Sequence, residues 1–151
     1  MVLSIDPGET TGWVLAEVSQ SGGIKIVDGG HVQHQEFYTL LTNMLDTYPK
    51  LDTIVYEEFR IFGTHNKVLT GDEVITAQLV SVIKQAVKAK AIHTQITPQK
   101  PADRKFGLAR KSDANWKEIK KIGKCNDHTF DAYQHLCLYH KRLLKAQGGK
   151  V

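Results

Sequence analysis

Val2-Leu3-Ser4-Ile5-Asp6-Pro7-Gly8-Glu9-Thr10-Thr11-Gly12-Trp13 is the stretch on which the reading of the fold turns. An apolar run ends on Asp6 and is closed at once by Pro7-Gly8, so residues 2–6 read as a short buried strand followed by a tight turn. Proline fixes its own φ and removes a donor, and Gly12 allows the chain to re-enter a second strand. Asp6 therefore stands where a strand meets a turn, and its carboxylate can project past the sheet edge. Taken alone, it reads equally as a turn residue bonding to the amides of Gly8 and Glu9.

Working outward, residues 12–18 alternate Trp13, Leu15 and Glu17 against Val14, Ala16 and Val18. Residues 19–23 form a turn, and residues 24–32 return as a third strand with a bulge expected at Gly29-Gly30. Residues 34–48 are an amphipathic helix with Phe37, Leu40, Leu41, Met44 and Leu45 on one face, stopped by Pro49. Residues 51–59 hold a fourth strand whose apolar centre, Ile54-Val55-Tyr56, suits a position covered on both faces. A polar loop over residues 60–71 leads to a helix over residues 73–90, capped by Asp72. A fifth strand over residues 91–97 ends at Pro98. The basic segment 99–110, broken by Pro101 and Gly107, reads as mobile. A short helix capped by Ser112 or Asp113 runs through Ile119 to Ile122. The last helix, capped by Asn126 or Asp127, extends to about Lys145, and the tail 147–151 frays. The expected fold class is α/β: a mixed five-stranded sheet, three antiparallel strands then two parallel, with helices on both faces.

Composition sets outer limits. A chain of 151 residues with 41% hydrophobic and 24% charged content reads as one globular domain over residues 1–151. No apolar run approaches the roughly 18 residues of a membrane span. The N-terminus lacks a signal-peptide layout, so the expected location is cytoplasmic: nucleoid-associated, or the host cytoplasm if the gene is a phage's. Cys125 and Cys137 read as reduced residues of an intracellular protein. Net charge is +4, but it is unevenly spread. Residues 84–124 carry twelve Lys or Arg against three acids, leaving eight basic and thirteen acidic residues elsewhere. A basic segment beside an acidic site suits an enzyme that processes a polyanion, although a solvated helix surface has the same composition.

Three acids sit in contexts fit for metal ligands: Asp6, Glu57 at the end of the run Ile54-Val55-Tyr56, and Asp131 near the start of the last helix. Glu57 and Glu58 must point to opposite faces of their strand, and periodicity does not choose between them. His128, Asp131 and His135 share a stripe of the last helix at i, i+3 and i+7. His135 lies about 10 Å beyond His128 on helical rise and reads as a structural or surface histidine. Cys125, His128, His135 and Cys137 offer a zinc set on paper. On one helix, however, His135 and Cys137 point apart, so Cys137 reads as core.

Asp6-Pro7-Gly8-Glu9-Thr10-Thr11-Gly12-Trp13 resembles the first-strand signature of RuvC-type Holliday junction resolvases, members of the ribonuclease-H-like superfamily. Ile54-Val55-Tyr56-Glu57-Glu58-Phe59 resembles their second acidic strand, and His128-Thr129-Phe130-Asp131-Ala132 their closing helix. The motifs come in family order and span nearly the whole chain. The resemblance picks Glu57 over Glu58. It implies that Asp6, Glu57 and Asp131, with His128 as ligand or general base, hold two Mg²⁺ ions, for which Mn²⁺ substitutes, with no organic cofactor. It further implies a homodimer that cuts four-way DNA junctions by paired symmetric nicks, leaving 5′-phosphate and 3′-hydroxyl ends. In that frame the helix over residues 73–90 contributes to the two-fold interface. Residues 60–70 approach the junction centre, where Phe62 stacks on a base while Phe59 packs. Lys100, Arg104, Lys105, Arg110 and Lys111 are the expected phosphate contacts. The alternatives are another nuclease of the same fold, acting on hybrids, ribosomal RNA precursors or branched DNA, and a binding module that no longer cleaves.

Overall fold

The structure, a computed structural model, describes residues 1–19, 23–59, 70–90, 93–146 and 148. Five strands, β1 (Val2–Asp6), β2 (Thr10–Ser19), β3 (Gly23–Gln33), β4 (Thr53–Glu57) and β5 (Gln95–Gln99), form one sheet in the order β3-β2-β1-β4-β5. The first three pair antiparallel, and β4 and β5 join in parallel, as the sequence pattern implies. The remaining elements are α1 (His34–Thr47), α2 (Gly71–Lys90), a 3₁₀ helix (Pro101–Gly107), α3 (Ala114–Ile122) and α4 (Asp127–Ala146). Among the described residues, no helix is long and apolar enough to cross a membrane.

Strand alternation sorts the side chains into two cores. Leu3, Ile5, Leu15, Ile54 and Tyr56 face α1 and α2 and pack on Phe37, Leu41, Leu79 and Ile83. Val2, Val14, Ala16 and Val55 face the other way and pack on Trp116 and Ile119 of α3 and Ala132, Tyr133 and Leu136 of α4. By the same period of two, Ser4 faces α4 and bonds to the Ala132 carbonyl at 2.8 Å. Helices therefore cover both faces, and α4 lies on the face that carries Asp6 and Glu57.

Five local expectations are corrected. The register shift in β3 falls opposite Leu15/Ala16, where Val27 is the extra residue, and not at Gly29-Gly30. Those glycines stay in register because α3 and the chain after it press on them: a Cβ on Gly29 would lie 3.0 Å from the Ile119 side chain. β4 is shorter than residues 51–59. The cap of α2 is Thr70, whose amide reaches the Glu73 carboxylate at 2.8 Å while its hydroxyl accepts from the Glu73 amide at 3.4 Å, a reciprocal capping box. Asp72 is left free of that duty. β5 starts at Gln95 and runs through Pro98, which pairs with Tyr56, because an edge strand has a side that needs no donor. Finally, residues 101–107 are ordered as a 3₁₀ helix lying against α4. Asn126 caps α4 as expected, accepting from the Thr129 amide at 3.0 Å.

Candidate metal centre

β1 and β4 are parallel neighbours with Ile5 opposite Tyr56, so the next residues along, Asp6 and Glu57, come out side by side. α4 crosses above these strand ends. Its first turn sits directly on β2: a Cβ at Gly12 would lie 2.1 Å from both the carbonyl carbon and oxygen of His128. Only glycine permits that approach, and Thr129 then bonds to the Gly30 carbonyl at 3.0 Å. The stripe His128, Asp131, His135 is thereby laid across the two acids.

His128 Nδ1 is 2.9 Å from Asp6 Oδ2, and His135 Nε2 is 3.0 Å from Glu57 Oε2. Arg104, at the middle of the 3₁₀ helix, bridges the remaining carboxylates through one Nη1 atom, 3.2 Å from Glu57 Oε2 and 2.9 Å from Asp131 Oδ2. Asp6, Glu57, His128, Asp131 and Arg104 line one cleft of about 440 Å³ with Glu9, Thr10, Asp72 and Thr76. Burial is the main reason the Asp6 carboxyl is pushed up to about 6, and the charges of Glu57 and Asp131 add to it, while the His128 contact pulls the other way. Burial also raises Asp131, opposed by the Arg104 charge. Glu58 lies on the opposite side of the strand, and its charge, after burial, raises the Tyr56 phenol.

The donor set fits a divalent cation. Several carboxylates converge in one cleft, and Asp6 is held there at a cost that a cation would remove. Among the described residues, Asp6, Glu57 and His135 form the one trio whose ligand atoms all lie within 4.8 Å of one another.

Of the basic candidates, the structure brings Arg104 into the cleft. Lys100, Lys105 and Arg110 are exposed outside it, and Lys111 pairs with Asp127 at 2.9 Å. Phe62 lies outside the described residues, and Phe59 packs against the first core. Cys125 donates to the Ile119 carbonyl, and Cys137 packs in the second core, where burial pushes its thiol up to about 12.

His135, read as a structural or surface histidine, is the structural one of those two. It is fully buried, reaches Glu57, and is held from behind by Gln99 Oε1, 2.8 Å from its Nδ1. Counting rise along α4 places it two turns from His128. It does not reveal that α4 slants across the sheet, from β2 at Gly12 to β4 at Glu57. Asp72 was missed for another reason: the Thr70-x-x-Glu73 pattern was legible and assigns the cap elsewhere.

No family model matches the chain, and no curated protein matches it. Solved structures do. Thermus thermophilus RuvC in complex with a Holliday junction substrate superposes with a TM-score of 0.67 at 14% identity, over 97% of this chain and 95% of that one. The Fowlpox virus resolvase with its substrate Holliday junction DNA gives 0.64 at 13% identity, over 94% and 99%. The yeast mitochondrial Holliday junction resolvase Ydc2 gives 0.59 at 13%, over 96% and 80%. The chain thus has the RuvC-like form of the ribonuclease-H fold, and at these identities the likeness is one of fold.

Proposed function

We propose that the whole chain acts as one metal-dependent, structure-selective endonuclease domain that resolves four-way DNA junctions. The observation that carries this reading is the convergence of Asp6, Glu57, Asp131 and His128 on one cleft, from two neighbouring strand ends and the helix crossing them. That it occurs on a fold shared with resolvases bound to junction DNA adds support.

In this reading Asp6, Glu57 and Asp131 hold two Mg²⁺ ions, with His128 beside them as a ligand or as a general base, and Mn²⁺ substitutes because the ligands are mostly hard oxygens. Divalent ions bound there supply a water of lowered pKa and neutralise charge on the attacked phosphate. His128 is half-exposed and anchored to Asp6 through Nδ1, so its Nε2 is the atom available to take a proton from that water. Arg104 moves between the carboxylates and a phosphate oxygen, where its guanidinium meets developing charge. Lys100, Lys105, Arg110 and Lys111 contact the backbone of the junction arms, and Phe62 stacks on a base. The products carry 5′-phosphate and 3′-hydroxyl ends.

Paired cuts need two active sites, so the working unit is a homodimer. Its interface includes α2, where Val74 is 39% exposed and Ile75 and Val82 are only partly buried. The enzyme works in the cytoplasm, where its DNA is, and needs no organic cofactor.

The test compares a synthetic four-way junction with duplex, flap and RNA–DNA hybrid at one salt concentration, in Mg²⁺ and in chelator. Fixed salt matters because phosphate contacts alone shift affinity by orders of magnitude. Symmetric paired nicks confined to the junction, abolished by chelator, are expected. Preferential cutting of the hybrid would replace this reading with that of another nuclease of the fold.

A further inference from the structure

His135 has no place in the motifs above, yet among the described residues it is the histidine the fold encloses completely, and its Nε2 faces the two strand-end acids. We propose that His135 Nε2 is itself a metal ligand, completing with Asp6 and Glu57 a set of three donors that favours Mn²⁺ over Mg²⁺. The inference rests on the reading of this cleft as a metal centre.

Three observations support it. First, the ligand atoms of Asp6, Glu57 and His135 lie within 4.8 Å of one another, so an inward shift of about half an ångström closes them on one ion with bonds of about 2.1 Å. Arg104 lies on Asp131 and on Glu57 alike, so an ion held by this trio takes the place of the guanidinium at Glu57. Second, the Gln99 carbonyl oxygen sits 2.8 Å from Nδ1. A carbonyl oxygen only accepts, so Nδ1 carries the proton, and the neutral ring presents a lone pair at Nε2. Donation from the far ring nitrogen to a carbonyl is how proteins orient metal-binding imidazoles. Third, Nε2 lies 3.0 Å from Glu57 Oε2, where the neutral ring turns its lone pair toward the carboxylate and a ring protonated on both nitrogens would donate to it. In the neutral form, a cation between the two relieves the repulsion of the facing lone pairs.

β5 supplies the orienting group. Because the strand runs on through Pro98, Gln99 pairs with Glu57 and puts its amide behind the imidazole. The Gln99 amide nitrogen is buried without a partner among the described residues. Turning the amide over would exchange that atom for an unpartnered oxygen and would reverse the role of His135. Its Nε2–H would then donate to Glu57, an anchor and no ligand.

The preference for Mn²⁺ follows from the nitrogen donor. A site of carboxylates and water alone suits Mg²⁺, whereas imidazole binds the later divalent ions better.

The experiment is pulsed electron paramagnetic resonance of the full-length protein loaded with Mn²⁺, with natural-abundance and ¹⁵N-labelled histidine. Expected is a nitrogen coupling that shifts with the label, persists in His128→Asn and is lost in His135→Gln. In parallel, Mn²⁺ affinity in His135→Gln falls by about ten-fold or more, and Mg²⁺ affinity falls less. The wild-type and His128→Asn spectra carry the test even if the buried substitution unfolds. Mn²⁺ bound with no nitrogen coupling would overturn the proposal and leave an all-oxygen metal site standing. So would a coupling that disappears in His128→Asn. Failure of the wild-type protein to bind Mn²⁺ at all would remove the metal-centre reading, and this inference with it.

Discussion

Asp6 shows how a single side chain trades stability for function. Its carboxyl is buried among other acids, so the folded chain holds its proton up to about pH 6, against 3.8 for the free group. A folded pKa above the unfolded one means that this group's contribution to stability is present below about pH 4 and is lost as pH rises through 6. Without metal, the charged form therefore costs the fold on the order of 3 kcal/mol at neutral pH. The expected outcome is that metal-free Asp6→Asn equals the wild type in urea unfolding near pH 3.5 and exceeds it by that order at pH 7. A variant less stable than the wild type at pH 7 would contradict this account.

The acids of the cleft were legible as candidates because each is announced locally, and the family resemblance then picked Glu57 over Glu58. Asp6 follows an apolar run and precedes a forced turn, Glu57 ends a second such run, and Asp131 repeats the spacing of a helix stripe. That His135 and Arg104 reach these acids was not legible. What brings His135 to Glu57 is the angle at which α4 crosses the sheet, and what brings Arg104 there is the folding of residues 101–107 back onto α4. Neither is written in the neighbouring residues.

At the scale of elements, placement depends on a few contacts that tolerate no substitute. Gly12→Ala would put a methyl carbon 2.1 Å from the His128 carbonyl, against backbone on both sides. The expected loss is at least the upper end of the usual overpacking range, about 3 kcal/mol, read as a lower denaturant midpoint. The capping of α2 gives a paired prediction. Thr70→Ala should cost about 1 kcal/mol, whereas Asp72→Ala should leave stability nearly unchanged. The reverse ranking would restore Asp72 as the cap. Strand and helix boundaries read from sequence erred where tertiary packing overrode local signals. Pro98 looked like a strand stop, yet it sits inside an edge strand. Gly29-Gly30 looked like a bulge, yet it is flat because α3 and the chain after it come down on it.

At the scale of the whole molecule, the alternation of strand and helix patterns gave a mixed sheet of three antiparallel and two parallel strands with helices on both faces, and the structure adds the order β3-β2-β1-β4-β5. The concentration of basic charge in residues 84–124 was equally visible. Its consequence was harder to see, since most of those side chains stay on the surface while Arg104 turns inward to the acids. The fold thus brings two parallel strand ends and one crossing helix to a common point, and the chemistry assigned to the protein depends on that point gripping divalent ions.

The most direct test of that claim sets wild type and Asp6→Asn side by side on a labelled four-way junction in Mg²⁺. The account predicts that the variant binds the junction as tightly as the wild type and that its cutting falls below detection. Undiminished cutting by Asp6→Asn would show that the carboxylate holds no catalytic metal.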